Sequence, residues 1–441
     1  MQDSARCDRF ARVRHASLPA KSPTSRAFFG AWVVRAAFVL AIFGWGVGLY
    51  GPPIFLHAVI ERTGWPLVMV SWAVTLHFLF GALIVVNLPR AHRRFGVPAT
   101  IVAGAFVTAL GIIGWASAAA PWQLFAASIA SGGGWVAMGA VAVNAVIAPW
   151  YERARPMALA KAYNGASIGG VIFSPLWVAL IANAGFLAAS VAIGVMTVAV
   201  AAALAGFVFA RTPSELGQRC DGNAHDTQPA VVRTPDSRPL PRRKLWRDRK
   251  FVTLAAGMAT GLFVQIGLVA HLFNLLAPVA GAQTAGVAMG LATASAIAGR
   301  FVVARLLAPG RDRRIAACIA YAVQLLGVLV LAAASEQHPG WILLGIVLFG
   351  SGIGNATSLP PLIAQVEFTK DDVPRVIALV IGIAQATYAF APAAFGELLT
   401  IVGGNAVRFG QGTGIFFVIA AILQGIAIGC FCIGRSPRPP R

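Results

Sequence analysis

Charge is what this chain has least of. Charged residues make up 11% of its 441 positions, where a soluble globular domain carries about 25%. That leaves too little polar surface to cover a water-soluble body of this length. Acids are the scarcest, with 15 Asp and Glu against 35 Lys and Arg, for a net charge of +20. The chain shows no carboxylate pair, metal-ligand cluster or nucleophile with a base in a spacing that supports chemistry. Asp371-Asp372 is an adjacent pair that reads as loop charge. Five cysteines, Cys7, Cys220, Cys318, Cys430 and Cys432, match no zinc or redox spacing, because Cys430-Phe431-Cys432 is not C-x-x-C. They read as small apolar residues with free thiols. Gly132-Gly133-Gly134 has no P-loop lysine after it and reads as a place of close helix packing or bending. No metal or cofactor is expected.

What the chain has is hydrocarbon. Apolar residues reach 58% and mean hydropathy is +0.75. Twelve apolar runs stand out: 28–50, 68–90, 97–117, 122–149, 157–181, 186–210, 250–275, 283–307, 314–334, 340–363, 375–400 and 410–433. A helix needs about 20 residues to cross a hydrocarbon core of about 30 Å, and each run suffices. The runs are continuous rather than alternating and too long for barrel strands, so twelve transmembrane helices are expected.

The placement of the basic residues argues against nucleic acid as a partner. They lie in short loops between apolar runs and not along one face of a domain. With the N-terminus in the cytoplasm, only Arg62 and Arg408 fall in outer loops, and Arg35 and Arg300 lie inside spans. This asymmetry is the positive-inside pattern of a multi-pass protein of the cell inner membrane with both termini cytoplasmic. Residues 1–27 read as a basic cytoplasmic tail, with an organelle transit peptide as the weaker reading. Residues 211–249 carry Pro213, Pro229, Pro235, Pro239 and Pro241 with Arg242-Arg243-Lys244, and read as a polar linker. The expected organisation is a bundle over 28–210, the linker 211–249, a second bundle over 250–433 and a cytoplasmic tail 434–441. The bundles echo each other at an offset of 217 residues, with Gly44 on Gly261, Gly133 on Gly350 and Pro175 on Pro392. Such duplication is common in secondary transporters.

Several stretches carry a family resemblance. They are Gly44-Trp45-Gly46-Val47-Gly48 leading through Pro52-Pro53 to Thr63-Gly64-Trp65-Pro66; Tyr151-Glu152-Arg153-Ala154-Arg155-Pro156; Ala162-Tyr163-Asn164-Gly165-Ala166-Ser167-Ile168-Gly169-Gly170; and Gly299-Arg300-Phe301. Over roughly 28–433 the chain resembles the major facilitator superfamily, and these stretches resemble its monocarboxylate and oxalate:formate antiporter branch. The resemblance implies an all-α membrane fold of two pseudo-symmetric six-helix bundles. The superfamily's inner loop between helices 2 and 3 runs Asp-Arg-x-Gly-Arg-Arg. Here Arg93-Arg94-Phe95-Gly96 lacks the acid, while the second copy, Asp312-Arg313-Arg314, keeps one. Arg93, Arg94, Asp312, Arg313 and Arg314 are the inner-gate candidates. Helix 5 lacks the Gly-Pro of the drug-antiporter motif.

Arg300 is the residue that most needs a reason. It lies about seven residues, roughly 10 Å, from the inner end of its span. A guanidinium at that depth is costly unless it faces water, a partner or the interface. Arg305 is close enough to the end to snorkel, and the neighbours on Arg300's own side, Thr293, Ala296, Ala304 and Leu307, offer no acid. One reading is an anion site, since guanidinium matches carboxylate with paired hydrogen bonds; the resemblance implies a helix-8 arginine used in this way. The other is a structural arginine held by helix-end carbonyls or gate groups. Tyr50, Asn164, Gln265, His271, Gln385 and Tyr388 are further candidates to line a cavity, or else hold helices together. His77 and Glu397 are proton-coupling candidates, set against a packed histidine and an interfacial glutamate.

The expected function is alternating-access transport of a small organic anion, monocarboxylate-like and proton-coupled, by a monomer in the lipid bilayer. The alternatives are an exporter of apolar drugs or metabolites and, in another class, a membrane sensor or membrane-embedded enzyme.

Overall fold

The computed structural model describes residues 28–221, 245–306, 312–334, 338–369, 372–403 and 413–435. The tail 1–27, most of the linker, Arg408 and the residues after Arg435 lie outside the described residues. Among the described residues, twelve helices are long and apolar enough to span a membrane: α1 Gly30–Thr63, α2 Leu67–Val85, α3 Val97–Ser117, α4 Pro121–Ile147, α5 Arg155–Ala184, α6 Phe186–Phe209, α7 Arg249–Ala280, α8 Ala282–Leu306, α9 Arg313–Ala333, α10 Pro339–Glu367, α11 Arg375–Ile401 and α12 Gly414–Ile433. Each apolar run in the sequence yields one of them.

The first helix runs further than its apolar run predicts. The apolar run ends at residue 50, just before Gly51-Pro52-Pro53. In the structure the helix breaks at Leu49–Tyr50 and resumes at Gly51, with the prolines in its first turn. A first turn has no intrahelical use for their missing N–H groups, so they start a helix as readily as they end one. The resumed segment stops at Gly64, whose φ of 67° suits glycine, with its N–H on the Ile60 carbonyl.

Burial follows a period of three. More than half of the apolar window is buried in α1, α4, α7 and α10, and in no other of the twelve. These four form the interior of the two bundles. The others turn large apolar side chains outward, among them Phe106 on α3, Phe207 on α6 and Ile422 on α12. An apolar belt of this kind is stable only against lipid. Small residues let the helices close up inside the bundles. Gly132 sits on the His77 carbonyl and Gly350 on the Ala292 carbonyl, where a methyl group would overlap the oxygen.

The halves meet through α1 with α7, α2 with α11 and α5 with α8. At the end away from the linker, the distal face, His57 Nδ1 lies 2.8 Å from Asn274 Oδ1 and the Ala393 N–H donates to Thr75 Oγ1 at 3.0 Å. On the linker face the start of the linker is strapped to the first bundle. Gln218 accepts the Phe29 N–H, and the Asp221 carboxylate accepts the N–H groups of Glu152, Arg153 and Ala154. Slight desolvation raises the Asp221 pKa, but these backbone bonds outweigh it and hold the carboxyl below its ordinary value.

Candidate substrate site between the halves

Arg300 lies on α8 where α8 packs against α5, and its guanidinium donates from Nη2 to Ser167 Oγ on α5. Helix geometry fixes the direction in which the side chain runs. Thr293 is level with Gly170. From there Arg300 lies seven residues toward the linker face, roughly 10 Å, whereas Ser167 lies three residues that way, roughly 5 Å. The arginine covers the difference by reaching back toward the middle of the bundle, the direction in which helical side chains lean. A snorkelling arginine points the opposite way. Arg35 behaves as a snorkelling side chain, exposed near its helix start with its guanidinium 4.9 Å from the centre of the Trp32 ring.

The surroundings of Arg300 hold no counter-charge. Among the described residues no carboxylate lies within ion-pair distance of it. Its Nε is buried over Gly354 of α10 and has no hydrogen-bond partner. Tyr50, at the break in α1, is close enough to interact with it electrostatically. The Tyr50 ring and the Thr293 methyl close over Gly170 and roof the site on its distal side. Asn164, one turn from Ser167 toward the linker face, is half-buried. The result is a cation between the two halves, roofed above and matched only by neutral hydroxyls.

The other candidates divide. Gln265 belongs to a chain of glutamines, accepting from Gln324 at 3.3 Å, while Gln424 donates to Gln324 at 2.7 Å. This ties α7, α9 and α12 together inside the second bundle. His271 is fully buried, with Nε2 2.8 Å from the Pro392 carbonyl and Nδ1 without a partner. It sits beside Gly396 and Ser71 at the α2–α11 contact. The Tyr388 ring meets Phe78 across the halves at 6.2 Å, and Gln385 lies three residues before it on α11. Glu397 is exposed on α11. The structure thus brings Tyr50 to Arg300, leaves Asn164 one turn from Ser167, and places Gln265, His271 and Glu397 in other contacts.

His77 has a specific local cause. Pro52 has no N–H to return to the carbonyl four residues earlier, so the Gly48 carbonyl is left free at the break in α1. His77 Nε2 fills that place at 2.8 Å. Nδ1 lies 2.8 Å from Ser131 Oγ, and the ring stacks on Trp135 with centroids 5.9 Å apart.

The gate candidates on the linker face are unequal between the halves. Arg314, 1% exposed, donates from Nε to Glu367 at 2.6 Å and from Nη2 to the same carboxylate at 2.8 Å, and also holds the Lys250 carbonyl. Asp312 caps α9 through the Arg314 N–H and pairs with Arg435 at 2.8 Å. Partial burial raises the Asp312 pKa, but the Arg435 hydrogen bond and the Arg314 N–H outweigh it, so the carboxyl sits below its ordinary value. Arg313 donates to the Leu362 carbonyl. In the first bundle Arg93 and Arg94 are exposed, and Arg94 lies over Phe95. The missing acid in the first loop matches a missing brace.

Sequence reasoning did not single out Ser167, His57, Asn274 or Glu367. Ser167 stood inside a quoted motif as one small residue among many. Glu367 marks the end of a span, and a charge there looks like ordinary loop polarity until its partner is known.

The sequence pattern of the Major Facilitator Superfamily matches residues 36–395. Among curated proteins no match is found. Among solved structures, a bacterial homolog of the human lysosomal transporter Spinster, in an inward-facing and occupied conformation, is similar with a TM-score of 0.65 at 13% identity, covering 92% of this chain and 97% of that one. The nucleoside transporter NupG is similar with a TM-score of 0.67 at 12% identity, covering 91% of this chain and 99% of that one. At such identities the likeness is one of fold.

Proposed function

We propose that this chain, which belongs to the Major Facilitator Superfamily, carries a small monocarboxylate-like anion by alternating access of its two halves, coupled to protons. Membership makes it a multi-pass transporter and not an enzyme; the cargo is the proposal. The observation that carries it is the direction of Arg300. The side chain turns away from the nearer interface and puts a guanidinium between the halves that is held by the Ser167 hydroxyl, with Nε free and, among the described residues, no carboxylate in ion-pair reach. A cation held there without an acid is costly in the empty protein. A carboxylate supplies the missing charge through paired, charge-assisted hydrogen bonds.

The roof of Tyr50, Gly170 and Thr293 limits the site on its distal side, so the acid enters carboxylate first, with its tail toward the linker face. Ser167 from one half and Arg300 from the other hold the same group, which couples binding to the approach of α5 and α8. The linker face is the cytoplasmic side of the inner membrane, the units are 28–210 and 250–433, and the transporter works as a monomer. Within the superfamily this reading favours the monocarboxylate and oxalate:formate branch.

Competition assays test the cargo. Uptake of labelled pyruvate into proteoliposomes is expected to be inhibited by other small carboxylates and unaffected by hydrophobic cations. Inhibition by the cations and not by the acids points instead to an exporter of apolar drugs.

A further inference from the structure

The buried groups around the break in α1 include one whose hydrogen bonds are complete in two protonation states. His77 Nε2 faces the Gly48 carbonyl, an acceptor with no proton to give, so Nε2 carries hydrogen in both states. Nδ1 faces Ser131 Oγ at 2.8 Å. That oxygen also accepts from Trp115 Nε1 at 3.1 Å and lies 3.1 Å from the Ser128 carbonyl. With a neutral ring, the Ser131 hydroxyl points its proton at Nδ1. With a charged ring, Nδ1–H donates to Ser131, and the hydroxyl turns its proton to the Ser128 carbonyl. Rotating one hydroxyl separates the two states, and neither leaves a ring nitrogen unsatisfied.

We propose that His77 is the site of the coupled proton, with the Ser131 hydroxyl as the switch that accommodates it. This rests on the carboxylate reading of the Arg300 site. The stacked Trp135 face, its centroid 5.9 Å away, stabilises a cation. The ionisable groups facing the ring's surroundings are Tyr50 on α1, Tyr388 on α11 and, beyond Tyr50, Arg300 on α8, whose positive charge disfavours the protonated ring until a carboxylate neutralises it; α4 carries none. No carboxylate on these helices near the ring satisfies the charge permanently. His77 holds the carbonyl two residues before Tyr50, and Tyr50 lies beside Arg300. A carboxylate arriving at Arg300 brings negative charge to this neighbourhood and favours the protonated ring, and by linkage the protonated ring favours the carboxylate. The ring is 1% exposed, so it exchanges its proton only when the halves move. That is the behaviour of a carried proton.

The test is calorimetric titration of purified full-length protein with pyruvate at pH 7, in two buffers of different ionisation enthalpy, which counts the protons taken up on binding. The wild type is expected to take up as much as about one proton per pyruvate. His77→Gln is expected to bind pyruvate with no uptake. Ser131→Ala, which keeps the histidine if His77→Gln fails to fold, leaves the charged ring without its acceptor and is expected to lower the uptake. Wild-type binding without proton uptake, or equal uptake by wild type and His77→Gln, overturns the assignment of His77 and leaves the carboxylate reading standing. Absence of pyruvate binding by the wild type overturns that reading and this proposal with it.

Discussion

Arg300 on α8 donates to Ser167 on α5, so the arginine between the halves is held by a neutral hydroxyl and not by an acid. Its charge is therefore still available to a ligand. Replacing it with lysine keeps the charge but loses the planar fork and the reach to Ser167. Arg300→Lys is expected to raise the KM for pyruvate by about tenfold or more, the scale of one strong hydrogen bond lost, while the protein stays folded. Proteoliposome uptake checks the first and thermal unfolding the second.

The roof of the site fixes where the carboxylate end sits. A methyl at Gly170 would meet the Tyr50 ring and the Thr293 side chain. Gly170→Ala is expected to push Tyr50 aside and reduce uptake of pyruvate at unchanged expression. The check is a panel of acids of increasing length, on which the loss falls on all members, because the carboxylate end is displaced.

The Arg314–Glu367 pair is buried on its arginine side and doubly hydrogen-bonded. Glu367→Ala leaves a buried guanidinium without its carboxylate and is expected to destabilise the protein by on the order of 3 kcal/mol. The double replacement Arg314→Met with Glu367→Leu is expected to recover much of that. Thermal unfolding in detergent measures both.

Asp312 gives a pH dependence whose sign follows from its depressed pKa. A carboxylate held below its unfolded value contributes stability at pH above that value, and the contribution is lost as pH falls through the folded pKa. Below about pH 4 the wild type is expected to lose the benefit of the Arg435 contact, and its unfolding temperature to converge with that of Asp312→Asn. Parallel unfolding curves across that range would contradict this.

Much of the fold was legible because hydrocarbon length is a hard requirement: each of the twelve apolar runs became a spanning helix. The exception was local. Pro52-Pro53 looks the same in sequence whether it ends a helix or starts one, and the structure uses it to start one. The site was partly legible. A deep arginine announces itself by its cost, but the direction of its side chain depends on a neighbour 133 residues away in sequence. Gln265 looked as polar as Asn164, and only the positions of Gln324 and Gln424 show that it holds helices together. His77 read as a packed histidine or a proton site, and the freed Gly48 carbonyl explains why it is packed without removing its titratable nitrogen.

The central claim is that the guanidinium of Arg300 receives the cargo's carboxylate. Initial rates of labelled pyruvate uptake into proteoliposomes, comparing wild type with Arg300→Gln at equal incorporation, test it most directly. The account predicts saturable uptake by the wild type and a loss on the order of 100-fold in kcat/KM for the variant, the scale of a desolvated charge contact removed. Equal uptake by the two proteins would contradict it.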